Sequence, residues 1–348
     1  MAKKADVKSA DSIDLAGAGA SSSGKISVVT GANGKMGKQL IKQLLKRGDT
    51  VRALVKRKEM ILELPTGVIP FLGDISDAKA LGALCSGADY VFHLAAIVSA
   101  YKAATQEIMR VNVEGTRNML EACEAGGVKH VVFMSTVDVY GHVRHDLLKE
   151  DSKLDPKDRY GLSKVLAEEE ILKYVDRVPF TIFRSAQIYG EGFEYYFFRV
   201  FRAIKEQKAY LIGDGKNKLN LIYVSDVINA MLLAVASKES RYQIYNLTDG
   251  NTHTQEQLFN LAADLLGVPR PSRHIGRLIV KLVAKQRNID VDELRFLTSN
   301  RNIDTSKIRE QLGFAAKVKV EDGAKEFVKE FLAEGGRHQT LNLNNTHA

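Results

Sequence analysis

The sequence is poor in cysteine and contains no tryptophan. Its two cysteines, Cys85 and Cys123, are too few for a disulfide framework or a cysteine-rich metal site, and we interpret them as small core residues. Long hydrophobic runs are also missing. The longest apolar stretches, around residues 90–101 and 227–236, are shorter than the roughly 20 residues that cross a bilayer, which excludes a membrane span.

Sequence motifs of metal and hydrolase chemistry are absent as well. The eight histidines form no His-Glu-x-x-His pattern, so no metal site is predicted, and the Gly-x-Ser-x-Gly pattern of serine hydrolases does not occur. The net charge is +8, but Lys and Arg are interleaved with Asp and Glu. Because no nucleic-acid-binding motif or polybasic arm accompanies this charge, we expect a solvated surface and no nucleic-acid partner.

The two ends of the chain differ in composition from the rest. Residues 1–24 are rich in Ala, Ser, Gly and Asp, without apolar periodicity and without the hydrophobic stretch of a secretory signal. We expect a disordered leader there and a flexible tail over residues 335–348. The expected location is the cytoplasm.

Between the ends, strand-like and helix-like patterns alternate. Ile26–Thr30 is a short β-branched run, and residues 35–47 form an amphipathic helical pattern. The alternation predicts an α/β fold, with a Rossmann-type doubly wound parallel sheet over residues 25–184. Residues 185–334 are expected to form a smaller, mostly helical substrate-binding lobe, with residues 219–236 returning to the first domain.

The first predicted strand runs directly into a glycine-rich turn. Gly31, Gly34 and Gly37 follow the pattern Gly-x-x-Gly-x-x-Gly. Such a turn bends the strand sharply, brings the backbone close to a pyrophosphate, and points the N–H groups of the next helix at the phosphates. We therefore predict a dinucleotide site here. The residues between the glycines that belong to it are Asn33, Lys35 and Met36.

This turn, written Thr-Gly-x-x-Gly-x-x-Gly, resembles that of the extended short-chain dehydrogenase/reductase superfamily. The superfamily includes nucleotide-sugar epimerases and dehydratases, 3β-hydroxysteroid dehydrogenases and dihydroflavonol reductases. Further motifs similar to those of the superfamily follow in order, and the resemblance spans residues 25–331. These motifs are Gly73-Asp74-Ile75, His93-Leu94-Ala95-Ala96, Val111-Asn112-Val113-Glu114-Gly115-Thr116, Ile222-Tyr223-Val224-Ser225-Asp226-Val227 and Asp304-Thr305-Ser306-Lys307.

The resemblance implies contacts with a bound NAD or NADP. Asp74, with Ile75 beside it, is expected to lie at the adenine. The turn after the fourth strand is expected beside the nicotinamide, and Asn112 is expected at the same site. The residues of that turn are Leu94, Ala95 and Ala96. The resemblance also implies a homodimer formed through the helices over residues 103–125 and 160–174.

The choice between NAD and NADP is made where the second strand ends. Epimerases of the superfamily carry an Asp at the position of Val55, where it binds the ribose 2′-hydroxyl of NAD and repels the phosphate of NADP. In this sequence Val55 is followed by Lys56, Arg57 and Lys58. Cations here are suited to pair with a 2′-phosphate, so NADP is the preferred cofactor and NAD the alternative.

Tyr160 and Lys164 are spaced as Tyr-x-x-x-Lys. On a helix, residues i and i+4 share one face, so the phenol and the ammonium converge. The lysine charge favours tyrosinate and moves the phenol pKa towards the working pH, where the group exchanges protons. The resemblance adds Thr136, at the end of the fifth strand, as the residue that holds the substrate oxygen. Its neighbour Ser135 is expected to point into the fold.

The residues after Thr136 bear on dehydratase activity. Sugar-nucleotide 4,6-dehydratases carry two adjacent acids in this segment, whereas this chain has Val137 and Asp138. One carboxylate does not replace an acid/base pair, so we do not expect water elimination. Asp138 is interpreted as a turn-stabilising residue, and Tyr140 as a structural one.

Two positions bear on the substrate. Epimerases of the superfamily usually carry Asn where this chain has Gln187, which we predict to contact the substrate, and Arg where it has Leu219. The nearby cations are Lys218 and, further along, Arg301. Loss of a bidentate guanidinium weakens the case for a diphosphate-bearing substrate.

Three functions remain open. The favoured one is an NAD(P)-dependent oxidoreductase acting on a carbonyl or alcohol carbon of a small-molecule substrate, with Thr136, Tyr160 and Lys164 as catalytic residues. An aromatic run over residues 193–201 is available to wall an apolar pocket, or to fill the core of the lobe. The alternatives are an NAD-dependent nucleotide-sugar epimerase and a nucleotide-binding regulator without catalysis. Such regulators commonly lose the Tyr or Lys that this chain retains.

Overall fold

The computed structural model describes four stretches of the chain, which are residues 24–98, 103–276, 279–280 and 296–333. The leader predicted for residues 1–24 lies outside these stretches except for its last residue. The tail predicted for residues 335–348 lies outside them entirely.

The described strands and helices alternate along the first half of the chain. The strands are β1 (Ile26–Thr30), β2 (Thr50–Val55), β3 (Ile69–Leu72), β4 (Tyr90–His93), β5 (His130–Thr136), β6 (Val143–Leu148), β7 (Phe180–Ser185), β8 (Gln187–Tyr189), β9 (Leu211–Ile212), β10 (Lys218–Leu219), β11 (Leu221–Tyr223), β12 (Gln243–Leu247), β13 (His253–Thr254), β14 (His274–Ile275) and β15 (Asn300–Ile303). The helices are α1 (Lys35–Lys46), α2 (Ala78–Cys85), α3 (Thr105–Met109), α4 (Gly115–Ala125), α5 (Arg159–Leu172), α6 (Glu194–Lys205), α7 (Val224–Ala236), α8 (Gln255–Leu266), α9 (Ser306–Leu312) and α10 (Val320–Ala333). None of these described helices has the length and apolar character needed to cross a bilayer.

Seven of the strands form one sheet in the order β12-β7-β5-β4-β1-β2-β3. Every neighbouring pair in this sheet is parallel. The chain builds outwards from β1 to β3 on one side and from β4 to β12 on the other. The crevice beyond the carboxyl ends of β1 and β4 is therefore the topological switch point at which doubly wound folds bind ligands. The predicted Rossmann-type sheet is confirmed.

Helices cover both faces of this sheet. Leu40, Ile41 and Leu44 of α1 are fully buried on one face, together with residues of α7. On the other face α2, α4 and α5 bury a second cluster of apolar side chains, which includes both cysteines. The amphipathic pattern over residues 35–47 thus predicted the buried side of α1, because apolar residues three and four apart share one face of a helix.

The chain returns to the sheet after it has entered the second half. Residues 243–247, which the sequence analysis places in the lobe, form β12, the outermost strand of the sheet beside β7. The return expected for residues 219–236 includes α7, whose Val227 and Met231 belong to the same buried cluster as α1. The strand β12 was not predicted, because a run of five residues does not indicate which strand it pairs with.

Helices α6, α8 and α10 build a separate apolar cluster in the C-terminal part. Aromatic rings from α6 and α10 fill it, and rings of Phe198, Phe201 and Phe327 pack edge to face or in parallel against one another. Side chains from α8 complete the cluster. Within the aromatic run over residues 193–201, the rings of Phe197, Phe198 and Phe201 lie in or against this cluster.

The carboxylate of Asp226 links α7, which packs against the sheet, to the segment just before α10. It is buried on α7 and accepts hydrogen bonds from the backbone N–H groups of Lys317 (3.0 Å) and Val318 (3.1 Å), just before α10. The Asp226→Asn substitution turns an amide N–H₂ towards one of these donors. We expect a loss of about 1–3 kcal/mol in the free energy of unfolding, measured in urea.

The matched control for this substitution is Asp322→Asn. Asp322 is an exposed residue of α10 whose partner, Lys325, is equally exposed, so its loss should change the stability by less than about 0.5 kcal/mol. Equal unfolding free energies for the two variants would contradict the assignment of Asp226.

Candidate active site

The glycine turn after β1 has no room for side chains at two positions. Gly31 adopts a φ of +66°, and a Cβ atom there would lie 2.8 Å from the carbonyl carbon of Leu94. At Gly37 a Cβ atom would lie 2.3 Å from the carbonyl oxygen of Gly31. The turn therefore exposes bare backbone at the switch point, which is what the close approach of a pyrophosphate requires.

The start of α1 is open to an anion. Gly34 precedes the helix, and no side chain caps the N–H groups of the first turn. Asn33 is directed away and donates its amide to the carbonyl of Met60 (2.7 Å). The ammonium of Lys35 lies 5.9 Å from the ring centroid of Phe193, where the chain enters the lobe. Met36 packs against the buried cluster under the sheet. A dinucleotide phosphate fits this cradle of backbone donors.

Asp74, which follows β3, joins several side chains beyond the ends of β2 and β3. Its carboxylate pairs with Lys56 (3.1 Å) and Arg110 (3.2 Å) and accepts hydrogen bonds from Ser76. Burial opposes ionisation, but these hydrogen bonds together hold the pKa of Asp74 well below its usual range. Ile75, beside it, is buried.

Of the three basic residues that follow β2, Lys56 is paired with a carboxylate, whereas Arg57 and Lys58 are exposed. The ammonium of Lys56 pairs with the carboxylate of Asp74. Arg57 is exposed, and its guanidinium has no charged or hydrogen-bonding partner in the described part of the chain. Of Lys56 and Arg57, the two residues predicted to contact the cofactor, Arg57 is therefore the one whose charge is not paired within the described part of the chain.

A relay of hydrogen bonds holds the turn after β4. Thr30 accepts from the backbone N–H groups of Leu94 and Ala95 (both 3.1 Å), so its hydroxyl hydrogen is directed to Nδ1 of His93 (2.7 Å). Nε2 of His93 then donates to Thr116 (3.0 Å). Complete burial lowers the pKa of His93 to about 3, so the ring is neutral and takes the tautomer that this relay needs.

Asn112 connects the same turn to the catalytic helix. It lies in a π-helical turn, Arg110–Glu114, between α3 and α4. Its side-chain oxygen accepts from the N–H of Ile97 (2.7 Å), and its amide donates to the carbonyl of Ile97 (3.0 Å) and to Ser163 (2.9 Å). Ser163 in turn donates to the carbonyl of Tyr160 (2.7 Å). These hydrogen bonds occupy the side-chain amide of Asn112 within the protein. Its predicted contribution to cofactor binding would therefore be indirect, through the positions of Ile97 and Ser163.

Tyr160 and Lys164 lie on one face of α5, as their spacing predicts. The helix begins after Asp158, whose carboxylate accepts from the N–H of Gly161 (2.8 Å) and caps the first turn. The ammonium of Lys164 lies 5.9 Å from the ring centroid of Tyr160. It donates a hydrogen bond to the carbonyl of Met134 (2.8 Å) at the end of β5.

Lys164 is removed from water. It is only 3% exposed, and its ammonium lies 4.5 Å from the ring centroid of Phe133. Burial lowers the pKa of Lys164 to about 7, while the carboxylate of Glu168 acts in the opposite direction. Burial thus brings the pKa of Lys164 towards neutral pH, on the helix face that also carries Tyr160.

The end of β5 brings Thr136 to the same site. Its oxygen accepts from the N–H of Asp138 (3.2 Å), which leaves its O–H to donate. Ser135 is turned inwards and donates to Glu168, as expected from the sequence. Tyr140 is fully buried and donates to Asn246 (2.7 Å), in agreement with a structural role.

Asp138 stabilises the turn that follows, with help from a distant residue. The guanidinium of Arg301 donates to its carboxylate (2.8 Å) and to the backbone carbonyls of Val137 (3.0 Å) and Gly141 (3.1 Å). Arg301 is buried, and all three bonds come from its Nη1, while its Nε has no hydrogen-bond partner in the described part of the chain. The interpretation of Asp138 as a turn-stabilising residue agrees with this geometry.

Comparison with known proteins identifies the family and the fold. The sequence model of the NAD dependent epimerase/dehydratase family matches residues 27–248, more than half of the chain. The chain belongs to this family. It is therefore an enzyme, and the alternative of a regulator without catalysis is set aside.

Characterised relatives act on different substrates. A UDP-N-acetyl-alpha-D-glucosaminuronate decarboxylase of Bacillus cytotoxicus is 30% identical, over 87% of this chain and 97% of its own. A 4-hydroxy-2-methyl-3-oxo-4-farnesyl-3,4-dihydroquinoline-1-oxide ketoreductase of Stigmatella aurantiaca is 27% identical, over 85% of this chain and 93% of its own. The solved structure of MoeE5 with UDP-glucose and NAD has a TM-score of 0.72 and 26% identity, covering 89% of this chain and all of the other.

Position 219, aligned above with the Arg of epimerases, carries an apolar side chain. Leu219 is fully buried and belongs to a cluster with Tyr189 and Phe296. Gln187 is half-buried, and its amide makes one long hydrogen bond, to the carbonyl of Ile188 (3.4 Å). Of the aromatic run, the side chains of residues 195 and 196 lie outside the described part.

Sequence reasoning missed two buried partners of the catalytic residues. Glu168 and Arg184 form an ion pair (2.7 Å) beside Lys164 and Ser135. Glu168 follows Lys164 by four residues, as Lys164 follows Tyr160, so its place on the catalytic face was available from spacing alone. Arg184 gave no comparable indication, because its partner lies on another element.

The glycine turn gives a direct test of the cofactor site. In Gly37→Ala the added carbon meets the backbone of Gly31 and Ala32, so either the turn or α1 must shift. We expect the affinity for both NAD(H) and NADP(H) to fall at least about tenfold in fluorescence titrations, since the phosphate donors lose their positions. The control is Gly82→Ala on α2, where a Cβ atom meets nothing within 4 Å. Equal affinities for the two variants would contradict the assigned cradle.

Proposed function

We propose that this enzyme is an oxidoreductase that prefers NADP and acts on a carbonyl or alcohol carbon of a substrate without a nucleotide. The observation that carries the proposal is the combination of an intact Tyr160–Lys164 pair with a buried leucine, Leu219, where epimerases carry a diphosphate-binding arginine.

The cations near the substrate side support this choice. Leu219 is packed among apolar side chains and offers no donor. Nη1 of Arg301 donates to Asp138 and to backbone carbonyls, which holds this guanidinium at the turn after β5. A diphosphate is recognised most strongly by a bidentate guanidinium, which Leu219 does not supply.

The residues of the site have complementary tasks in the proposed reaction. Tyr160 delivers a proton to the carbonyl oxygen in reduction, or accepts it in oxidation. Lys164, held by the carbonyl of Met134, stabilises the phenolate form, and Thr136 orients the oxygen with its free O–H. The chemistry that a bound nicotinamide supplies is hydride transfer with the substrate carbon. Backbone donors of the glycine turn and α1 would hold its pyrophosphate.

The proposed preference for NADP rests on the end of β2. Val55 replaces the acidic residue that selects NAD, and the free guanidinium of Arg57 is suited to a 2′-phosphate. A reductase consumes its reduced cofactor, so an exchangeable NADPH suits this function. The similarity to a ketoreductase supports the same choice.

A nucleotide-sugar epimerase is the second candidate. The structural similarity to MoeE5 bound to UDP-glucose and NAD favours it, as does the decarboxylase that takes a UDP-sugar. For this function Gln187 would have to replace the asparagine that contacts the diphosphate.

We also propose that the enzyme forms a homodimer through α3, α4 and α5. Leu162 and Leu172 of α5 are large apolar side chains exposed by 41% and 45%, which a second copy would cover. The predicted location in the cytoplasm stays a prediction.

The function is tested by mixing the protein with NADPH and a panel of ketones and aldehydes, and in parallel with NAD and UDP-sugars. Net oxidation of NADPH by carbonyl compounds supports the proposal, whereas interconversion of UDP-sugars without net change in the cofactor supports the second candidate. In the Tyr160→Phe variant we expect the turnover to fall about 10²–10⁴-fold with unchanged cofactor affinity, because only the proton donor is lost. Tyr174→Phe, a substitution just beyond α5, is the control and should retain activity.

The cofactor preference is tested by Arg57→Ala. Loss of a charged hydrogen bond to the 2′-phosphate should lower the affinity for NADPH at least about tenfold and leave the affinity for NADH nearly unchanged, as measured by calorimetry. Comparable dissociation constants for NAD and NADP in the unsubstituted protein would overturn the preference.

A further inference from the structure

Glu168 and Arg184 form an ion pair in the interior, one helical turn beyond Lys164 on the same face of α5. The side chains are 2% and 4% exposed, and the Nη2–Oε2 distance is 2.7 Å. The Nε of Arg184 also donates to both carboxylate oxygens, and Ser135 donates to the same carboxylate. The carboxylate of Glu168 is thus held by an arginine on β7 and a hydroxyl on β5.

Arg184 is itself fixed from the other side. Its Nη1 donates to the hydroxyl of Tyr140 (2.8 Å) and to the carbonyl of Glu150 (2.7 Å). The hydroxyl of Tyr140 in turn donates a hydrogen bond to Asn246 of β12. A buried ion pair gains little stability over apolar packing, because the charges lose their hydration. Its position therefore calls for a function other than stability.

The neighbours of this pair are the catalytic residues. Three consecutive residues end β5: Met134 accepts the hydrogen bond of Lys164, Ser135 donates to Glu168, and Thr136 carries the hydroxyl for the substrate. Glu168 also follows Lys164 by one helical turn on α5. The carboxylate and the ammonium thus bind adjacent residues of one strand end and fix it against the helix.

Three titratable groups face Lys164. Tyr160 lies on the same helix, and His93 approaches from β4 but is neutral. Glu168 is the negatively charged group, and it opposes the effect of burial on the ammonium. Without this carboxylate, the desolvated ammonium would retain its proton less firmly.

We propose that Glu168 is a positioning residue that supplies the negative charge facing Lys164 and holds the end of β5, and that Arg184 holds the carboxylate of Glu168 in place. The inference rests on the role proposed for Lys164 in catalysis. In this proposal the Glu168–Arg184 ion pair influences the charge of Lys164.

The proton affinity of Lys164 is measurable without substrate or cofactor. The protein is prepared with isotope-labelled lysine, and the ε-methylene signal of Lys164, identified by its loss in Lys164→Met, is followed by NMR across the pH range. In Glu168→Gln, which keeps the shape and hydrogen-bonding reach of the side chain, we expect the titration midpoint to fall by about one pH unit, a tenfold loss of proton affinity.

Glu170→Gln is the matched control. Glu170 lies on the same helix and pairs with Arg117 (2.8 Å), and its carboxylate does not act on Lys164. Its substitution should leave the midpoint unchanged. If Glu168→Gln also leaves it unchanged, the proposal is overturned.

The double variant Glu168→Gln/Arg184→Met guards against misfolding, since it does not leave Arg184 as a buried charge without its partner. It should show the lower midpoint as well, and an unchanged midpoint in a folded double variant would overturn the proposal. A failure to find any substrate would count against the proposed function alone, because the midpoint is read from the free protein.

Discussion

The ammonium group of Lys164 is buried under Phe133 and donates to the carbonyl of Met134, and the rest of the site is arranged around this contact. A desolvated lysine loses its proton readily, so its surroundings decide whether it carries a charge at neutral pH. A strand-end carbonyl and the carboxylate of Glu168 favour the charge. The same groups join α5, which carries the proton donor Tyr160, to the strand end that carries Thr136.

A second layer fixes the cofactor side in the same manner. Thr30 and the neutral His93 hold the turn after β4, and Asn112 ties that turn to Ser163 of α5. The turn after β4 and the helix α5 are therefore parts of one hydrogen-bonded unit. A displacement of α5 would move both, which explains why so many polar side chains in this region are buried and satisfied within the protein.

Features carried by neighbouring residues were predictable from the sequence. The glycine turn, the Tyr-x-x-x-Lys pair and the alternation that gives the parallel sheet each depend on spacings shorter than one element, and the structure places them as expected. Contacts between distant residues were not predictable. Arg301 reaches Asp138 across 163 positions, and β12 pairs with β7 only after the chain has built the start of the lobe. Such partners depend on topology, which no local pattern contains.

In the proposed function, the substrate side separates this protein from relatives that handle nucleotide sugars. Leu219 lies in an apolar cluster, so the guanidinium expected at this position of an epimerase is missing. The catalytic residues are shared by both kinds of enzyme, since hydride and proton transfer need the same phenol and ammonium. Specificity therefore depends on residues outside the catalytic set.

The nicotinamide that stays with the purified protein tests the central claim most directly. It is identified by absorbance and mass spectrometry, and its exchange is followed by titration with each cofactor. The account predicts a protein that releases its cofactor readily and takes up NADPH with micromolar affinity. Stoichiometric NAD that resists exchange would contradict it, because an enzyme that returns the same hydride to its substrate has no need to release the cofactor.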